Sequence, residues 1–118
     1  MTKIIRVNQI SWSDFEKIDI RTGTIIKAEN FPAARKPAYK LTIDFGAELG
    51  VKRSSAQITQ HYSLADLEGC QIIAVINFPP KQIATFISEC LVLGVYDENK
   101  EVVLLHPGKK LLNGLKIG

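Results

Sequence analysis

Tyr39-Lys40-Leu41-Thr42-Ile43-Asp44-Phe45 is the stretch that decides the fold class of this chain. Its residues alternate strictly between apolar and polar, and successive side chains of a strand point to opposite faces. One face therefore carries four apolar side chains, and the other carries Lys40, Thr42 and Asp44. The pattern predicts a strand that packs one face on a core and leaves the other accessible.

The segments on both sides of this strand also predict β-structure. Residues 18–28 are rich in β-branched side chains and bend at Gly23, and a glycine inside a strand can mark a bulge or a barrel corner. Residues 31–37 contain two prolines, which are incompatible with a helix or a central strand. Residues 46–50 form a turn, and residues 51–55 form a short return strand.

Two short helices are predicted by their capping residues. Ser13 and Glu16 have the spacing of a capping box. Ser63 and Gly69 begin and end one or two helical turns. The remaining predicted strands cover residues 72–76, 91–96, 102–105 and, as an edge strand, 109–117.

Length and composition agree with one small domain, since the chain has 118 residues, of which 46% are hydrophobic and 23% charged. We predict a single domain of residues 1–118, an all-β, five-stranded OB-fold barrel with short helices and terminal extensions. The OB type is favoured because the second helix lies between the third and fourth strands, where an OB barrel has its capping helix.

The termini predict a homodimer. The arm of residues 1–11 contains Ile4, Ile5 and Val7, which have no place inside one barrel, and Leu111 and Leu112 near the other end have the same need for a partner. Residues 1–11 are therefore predicted to be a dimerisation arm.

No segment approaches the roughly 18 apolar residues of a membrane-spanning helix, and the N-terminal apolar residues are interrupted. We predict a cytoplasmic protein without membrane insertion. Cys70 and Cys90 lie in apolar runs and are expected to be core thiols in a reducing compartment, although the sequence leaves a disulfide between them open.

The sequence offers no assembled catalytic set. His61 and His106 lie 45 residues apart, and neither has a potential metal ligand at a recognisable spacing. Phosphate-binding glycine loops and nucleophile elbows are absent from the sequence. Cys90 has apolar neighbours, which disfavour a reactive thiolate. We therefore predict a protein that is not an enzyme and uses no metal and no cofactor.

Basic residues are concentrated in one half of the chain. Residues 1–53 hold ten Lys or Arg and six Asp or Glu, whereas residues 54–118 hold five and six. An OB barrel binds nucleic acid across its second and third strands and the adjacent loops, which here are basic. Cations would neutralise phosphates, and hydroxyl and amide groups would hydrogen-bond unpaired bases. An ordinary solvated sheet face is the alternative interpretation. The RNA-binding candidates from this reasoning are Arg35, Lys36, Lys40, Lys52, Arg53, Ser54, Ser55, Gln57 and Asn77.

Stacking on bases would need exposed aromatic rings. Phe31, Phe78 and Phe86 are the candidates, but the sequence context of each is more typical of a core residue.

Two stretches resemble the tRNA-binding domain that is appended to several aminoacyl-tRNA synthetases and is also found free-standing in bacteria. The first is Asp14-Phe15-Glu16-Lys17-Ile18-Asp19-Ile20-Arg21-Thr22-Gly23, and the second is Asn77-Phe78-Pro79-Pro80 with the Ser88-Glu89 segment that follows it. Within that family, Phe31-Pro32-Ala33-Ala34-Arg35 and Ser54-Ser55-Ala56-Gln57-Ile58-Thr59 resemble the CsaA branch of export-related chaperones. The resemblance extends over nearly the whole chain.

The resemblance implies an OB fold, tRNA binding and a homodimer. For the CsaA branch it also implies binding of unfolded polypeptides or of preproteins in protein export. By position, Asn77 and Ser88 match polar binding positions of the family, and Lys81 lies in a segment that approaches RNA.

Two departures from the family pattern favour an alternative function. Thr85 stands where the family has glycine, and Ile87 stands where CsaA-like chains carry lysine, which makes this region more apolar. The alternative is a peptide-binding chaperone with weak or no tRNA affinity, whose groove at the dimer seam involves Phe78, Phe86 and Ile87. Docking onto a synthetase or a secretion component is a further possibility.

Overall fold

The computed structural model describes residues 3–118 and contains a nearly closed, five-stranded antiparallel barrel. The all-β OB-fold prediction is confirmed. The elements are α1 (Trp12–Glu16), β1 (Ile20–Asn30), β2 (Tyr39–Asp44), β3 (Val51–Ala56), α2 (Leu64–Leu67), β4 (Gln71–Val75), β5 (Lys81–Ile83), β6 (Phe86–Ser88), β7 (Leu91–Val92), β8 (Gly94–Tyr96) and β9 (Val102–Leu104).

The barrel sheet has the strand order β3-β2-β1-β4-β7. Its open edge is β3, which is bridged to residues 88–90 rather than left free. The Glu89 N–H donates to the Arg53 carbonyl oxygen at 2.8 Å, and the Ser54 hydroxyl donates to the Cys90 carbonyl oxygen at 2.8 Å. These bonds satisfy backbone groups that an edge strand would otherwise expose.

The core follows from the alternation in β2. Leu41 and Ile43 are fully buried, while the polar residues that alternate with them along the strand are half-buried, as predicted. Leu67 of α2 closes one end of this core and is also fully buried. Each buried side chain of this size stabilises the fold by about 1.5–3 kcal/mol. The helix lies between β3 and β4, which confirms its predicted position in the chain order.

Gly23 permits a close approach of the core to the β1 backbone. A Cβ atom at this position would lie 2.8 Å from Ile43 Cγ2 and 2.8 Å from the Phe45 ring. The irregularity in the β1–β2 ladder falls between Ile25 and Lys27 instead. The glycine therefore serves packing, and the bulge that the sequence suggested near it lies further along the strand.

The first helix is capped two residues earlier than predicted. The Asp14 N–H donates to the Ser11 hydroxyl at 3.1 Å, and the Ser11 N–H donates to an Asp14 carboxylate oxygen at 3.2 Å. This reciprocal pair is the capping box, so the assignment to Ser13 and Glu16 was wrong.

The C-terminal segment does not form the predicted edge strand. It follows β1 through single backbone bonds, such as that from the Thr22 N–H to the Leu115 carbonyl oxygen at 3.0 Å. Among residues 3–118, its one β-bridge joins Lys116 to Arg21. Gly114 has a φ of 83°, a left-handed conformation that interrupts the extended backbone a strand requires.

The predicted strand at residues 91–96 is divided between two partners. β7 pairs with β4 in the barrel, whereas β8 pairs with β9 in a separate hairpin. β5 and β6 form another hairpin, which the sequence pattern did not predict.

The predicted dimerisation arm lies outside the barrel. Its first two residues are outside the described part of the chain. Residues 3–10 form no helix or strand, and Ile4 is 91% exposed. Within residues 3–118, no helix has the length and apolar character needed to cross a membrane.

Candidate nucleic-acid interface

The register between β2 and β3 decides which predicted residues share a face. Lys40 is opposite Ser55, and Lys52 is opposite the buried Ile43. Because paired residues point to the same face of a sheet, Lys40 and Ser55 lie on the outer face, and Arg53 lies there by alternation. Lys52 has the same orientation as the core residues. Lys52 and Arg53, which are both predicted to bind RNA, therefore point to opposite faces of the sheet.

Two phenylalanine rings lie beneath the cations of the outer face. Phe31 and Phe86 are both buried, and their ring centroids lie 5.3 Å apart at an interplanar angle of 56°. Lys40 Nζ lies 5.6 Å from the centroid of Phe31, and Arg53 Cζ lies 4.4 Å from the centroid of Phe86. Both distances allow cation–π attraction, which holds the two cations above the aromatic pair.

Burial removes two predicted residues from direct contact with a ligand. Phe86 is only 4% exposed and fills the small cluster with Phe31. Ser54 is 1% exposed, and its hydroxyl donates to the Cys90 carbonyl oxygen. Both side chains are thus below the surface, so the roles predicted for Ser54 in RNA binding and for Phe86 in peptide binding stay predictions and do not enter the proposed binding surface.

A groove of about 1070 Å³ adjoins the outer face. It runs between β3, the β5–β6 hairpin, β7 and the β8–β9 hairpin. The predicted residues that line it are Lys36, Ser55, Gln57, Phe78, Lys81 and Ser88. The backbone N–H of Ser55 donates to the Ser88 hydroxyl at 3.2 Å, which fixes the position of that hydroxyl at the groove wall.

The groove also contains residues that sequence reasoning missed. Tyr96 and Lys100 line it from the β8–β9 hairpin, and Leu91 lines it from β7. The one signal in the sequence for these residues was that Tyr96, an aromatic residue, comes immediately before the predicted polar turn. Nothing in the spacing indicated that this hairpin lines the same groove as β3.

The remaining predicted residues lie outside the groove. Asn77 uses its side chain to connect the end of β4 to the α1–β1 junction, with the Asp19 N–H donating to Oδ1 at 2.9 Å and Nδ2 donating to the Lys17 carbonyl oxygen at 2.7 Å. Arg35 is exposed in the loop between β1 and β2. Ile87 is exposed and, by alternation, points away from the face that carries Phe86.

The predicted basic residues lack internal counter-charges. Within residues 3–118, ion pairs of lysine and arginine are formed by Lys17, Arg21 and Lys27, which are not in the predicted set. Within the same described range, the following predicted residues form no ion pair: Arg35, Lys36, Lys40, Lys52, Arg53 and Lys81. Their positive charges are therefore available to an external anion.

Both cysteines are free thiols. Cys90 is buried, and burial raises the pKa of its thiol to about 11, with the Ser54 hydrogen bond acting in the opposite direction. The thiol is thus protonated at neutral pH and is a poor nucleophile.

A histidine–carboxylate cluster connects the loop before α2 to the β8–β9 hairpin. His61 Nε2 lies 2.8 Å from Asp97 Oδ2 and 3.4 Å from Glu101 Oε2. The three residues could in principle hold a metal ion. No sequence spacing indicated the cluster, because His61 lies 36 residues before Asp97. The backbone N–H of Glu101 and the His61 ring lower the pKa of Asp97. The contacts are those of a structural link between loop and hairpin.

Comparisons with known proteins agree with this architecture. Residues 20–116 match the model of the family described as "Putative tRNA binding domain". Methionine–tRNA ligase of Methanocaldococcus jannaschii is 32% identical over 112 residues, which are 95% of this chain and 17% of that enzyme. The chain thus spans about a sixth of this curated relative.

Two solved structures are similar at higher identity. The chaperone CsaA of Bacillus anthracis is 54% identical with a TM-score of 0.88, and the match covers 94% of this chain and 100% of that one. The CsaA chaperone protein of Picrophilus torridus is 53% identical with a TM-score of 0.87, covering 93% and 100%. With its barrel, its basic face and a family match over most of its length, the chain belongs to the tRNA-binding domain family.

Proposed function

We propose that this protein binds tRNA through the outer face of β2 and β3 and the adjoining groove. The observation that carries the proposal is a set of cations without internal ion pairs, gathered beside a groove lined by hydroxyl and amide groups. Cations of this kind bind phosphates by releasing counterions, and the polar groups hydrogen-bond unpaired bases. The cations are Arg35, Lys36, Lys40, Arg53 and Lys81.

Titration with unfractionated tRNA tests this proposal. We expect binding at low salt that weakens at moderate salt, and no binding at low salt would overturn the proposal. A matched pair of double variants locates the surface. Lys36→Gln with Lys81→Gln removes two charges from the groove, whereas Lys109→Gln with Lys110→Gln removes two exposed charges from a different cleft. We expect the first pair to weaken binding and the second to leave it unchanged.

A second proposed function is binding of unfolded or export-bound polypeptides in the same groove. Phe78 is 56% exposed and Tyr96 is 74% exposed, and both line the groove. Exposed apolar surface of this kind suits extended hydrophobic segments. The two similar solved structures are described as chaperones, which supports this alternative.

Aggregation of a chemically denatured client, followed by light scattering, tests the chaperone proposal. Phe78→Ala removes an apolar side chain from the groove, and Ile87→Ala removes one from the opposite side of the β5–β6 hairpin. We expect the first variant to lose suppression of aggregation and the second to retain it. Equal activity of the two variants would count against a peptide site in the groove.

We also propose that two copies associate through the N-terminal arm. Ile4, Ile5 and Val7 are more than 80% exposed, so a single copy leaves their apolar surface in water. Sedimentation of the full chain should give a dimer mass, and Ile5→Asp should shift it toward the monomer. A monomeric wild-type mass would refute the role of the arm.

The proposed activity is binding without catalysis, which is supported by the raised pKa of the buried Cys90 thiol. The ligase activity of the methionine–tRNA ligases is not proposed for a chain that spans about a sixth of their length. Docking onto a synthetase or a secretion component and a cytoplasmic location stay predictions.

A further inference from the structure

Arg53 presents a planar cation on top of a buried aromatic ring. Its Cζ atom lies 4.4 Å from the centroid of Phe86, which is 4% exposed, whereas Arg53 itself is exposed. The ring therefore lies within cation–π distance of the guanidinium, and the exposed side chain is accessible to a ligand. A guanidinium is flat and weakly hydrated, and it stacks readily on π-surfaces.

The position of this platform is fixed before any ligand arrives. Phe86 is held by Phe31, which in turn lies beneath Lys40. The backbone N–H of Arg53 donates to Glu89 Oε1 at 3.0 Å, and the backbone carbonyl oxygen of Arg53 accepts from the backbone N–H of Glu89 at 2.8 Å. Groups that need no reorganisation on binding lose less entropy when a ligand arrives.

The donors of Arg53 are not used inside the protein. Arg21, in contrast, directs its guanidinium to the Asp19 carboxylate at 2.6 Å and to the Gly114 carbonyl oxygen at 3.0 Å. Among residues 3–118, no side-chain hydrogen bond or ion pair engages the guanidinium of Arg53. The N–H groups at the edge of this guanidinium are therefore available to a ligand.

We infer that the Arg53 guanidinium, supported by the Phe86 ring, is the stacking platform for one unpaired base of the bound RNA. The inference rests on the proposed tRNA-binding function and assigns a recognition mode to its surface. Unpaired bases stack on arginine planes as well as on aromatic rings, and such stacking tolerates any base. It also gives the buried Phe86 a part in base recognition, because this ring acts through the cation that lies over it.

Arg53→Lys is the critical variant, since it keeps the charge and removes the plane. We expect about ten-fold weaker binding of tRNA and of single-stranded RNA, at the lower end of what one stacked base contributes. The dependence of affinity on salt should stay unchanged, because the same number of phosphates is neutralised. Arg6→Lys is the matched control, because Arg6 is exposed on the N-terminal arm outside the proposed RNA-binding surface, and it should change affinity less than two-fold.

A second measurement does not depend on affinity. The fluorescence of 2-aminopurine in an oligoribonucleotide depends on how that base is stacked, and it is compared between the variants at saturating protein. We expect the same fluorescence with the wild type and with Arg6→Lys, and a clearly different fluorescence with Arg53→Lys. Thermal melting of each variant establishes that it is folded under the binding conditions.

The outcomes separate the platform from the proposed function. Wild-type binding together with equal affinity and equal fluorescence of Arg53→Lys and Arg6→Lys would refute the platform and leave RNA binding intact. Absence of wild-type binding at low salt would refute both. If Arg53→Lys lost client binding and kept RNA binding, Arg53 would belong to a polypeptide site, which also overturns the inference.

Discussion

Lys40 and Lys52 test whether the strand register determines which cations contact RNA. Both are half-buried lysines without ion pairs within the described residues, and they lie on neighbouring strands. They differ in orientation, because Lys40 is opposite Ser55 on the outer face and Lys52 is opposite the buried Ile43. The substitutions Lys40→Gln and Lys52→Gln therefore make the same chemical change on opposite faces of one sheet.

The expected magnitude follows from the number of cations on the proposed surface. Five cations that each neutralise a phosphate predict a slope of log affinity against log salt of about −3.5 for single strands and about −4.5 for duplex regions. A four-fold rise in salt should then weaken binding by about 130- to 500-fold. Lys40→Gln should reduce the steepness of the slope by about 0.7–0.9, and Lys52→Gln should leave it unchanged.

Fluorescence anisotropy of labelled tRNA over a series of salt concentrations measures these slopes. Loss of the Lys40 cation–π contact would cost about 0.5–1 kcal/mol of stability, so the melting temperature of each variant is recorded alongside. Equal slopes for the two variants would refute the reasoning from the register. A smaller slope for Lys52→Gln alone would place the binding surface on the other face.

Three further predictions concern stability. Gly23→Ala should destabilise the fold by about 1–3 kcal/mol in urea titrations, because its Cβ would come within 2.8 Å of two core side chains. Lys100→Gly should stabilise it by about 0.5–1 kcal/mol in the same assay, since Lys100 has a φ of 61°. Asp97→Asn should lower the melting temperature near neutral pH. The backbone N–H of Glu101 and the His61 ring lower the pKa of Asp97, so this deficit should vanish as pH falls below 3.8.

The sequence predicted the barrel well because its strongest signals are local. Strict alternation predicts β2, and the serine before α2 caps that helix through Asp66 as expected. The capping residue of the first helix was predicted wrongly because Ser11 and Ser13 can both cap a helix. The reciprocal hydrogen bonds between Ser11 and Asp14 select Ser11. The prediction of an edge strand in the C-terminal segment was wrong because the apolar residues do not reveal the left-handed backbone at Gly114.

The candidate site was less predictable because it depends on contacts between distant residues. The sequence identified the basic residues and the polar residues of β3, but not the faces to which they point. Lys52 and Arg53 are adjacent in sequence, and their pairing with β2 is what shows that they point to opposite faces of the sheet. The His61 cluster and the β8–β9 hairpin at the groove arise from tertiary contacts for which no sequence spacing gives a signal.

The β5–β6 hairpin also changes the meaning of the two departures from the family pattern. The residue of its turn with a left-handed backbone is Ala84, with a φ of 53°, so Thr85 does not need the conformational freedom of the glycine it replaces. Ile87 points away from the face of Phe86 and Ser88, so an isoleucine there removes no charge from the groove. We therefore expect Ile87→Lys to leave the salt dependence of tRNA binding unchanged, although the substitution restores the lysine expected in CsaA-like chains. A steeper slope in this variant would show that the outer side of the hairpin also contacts RNA.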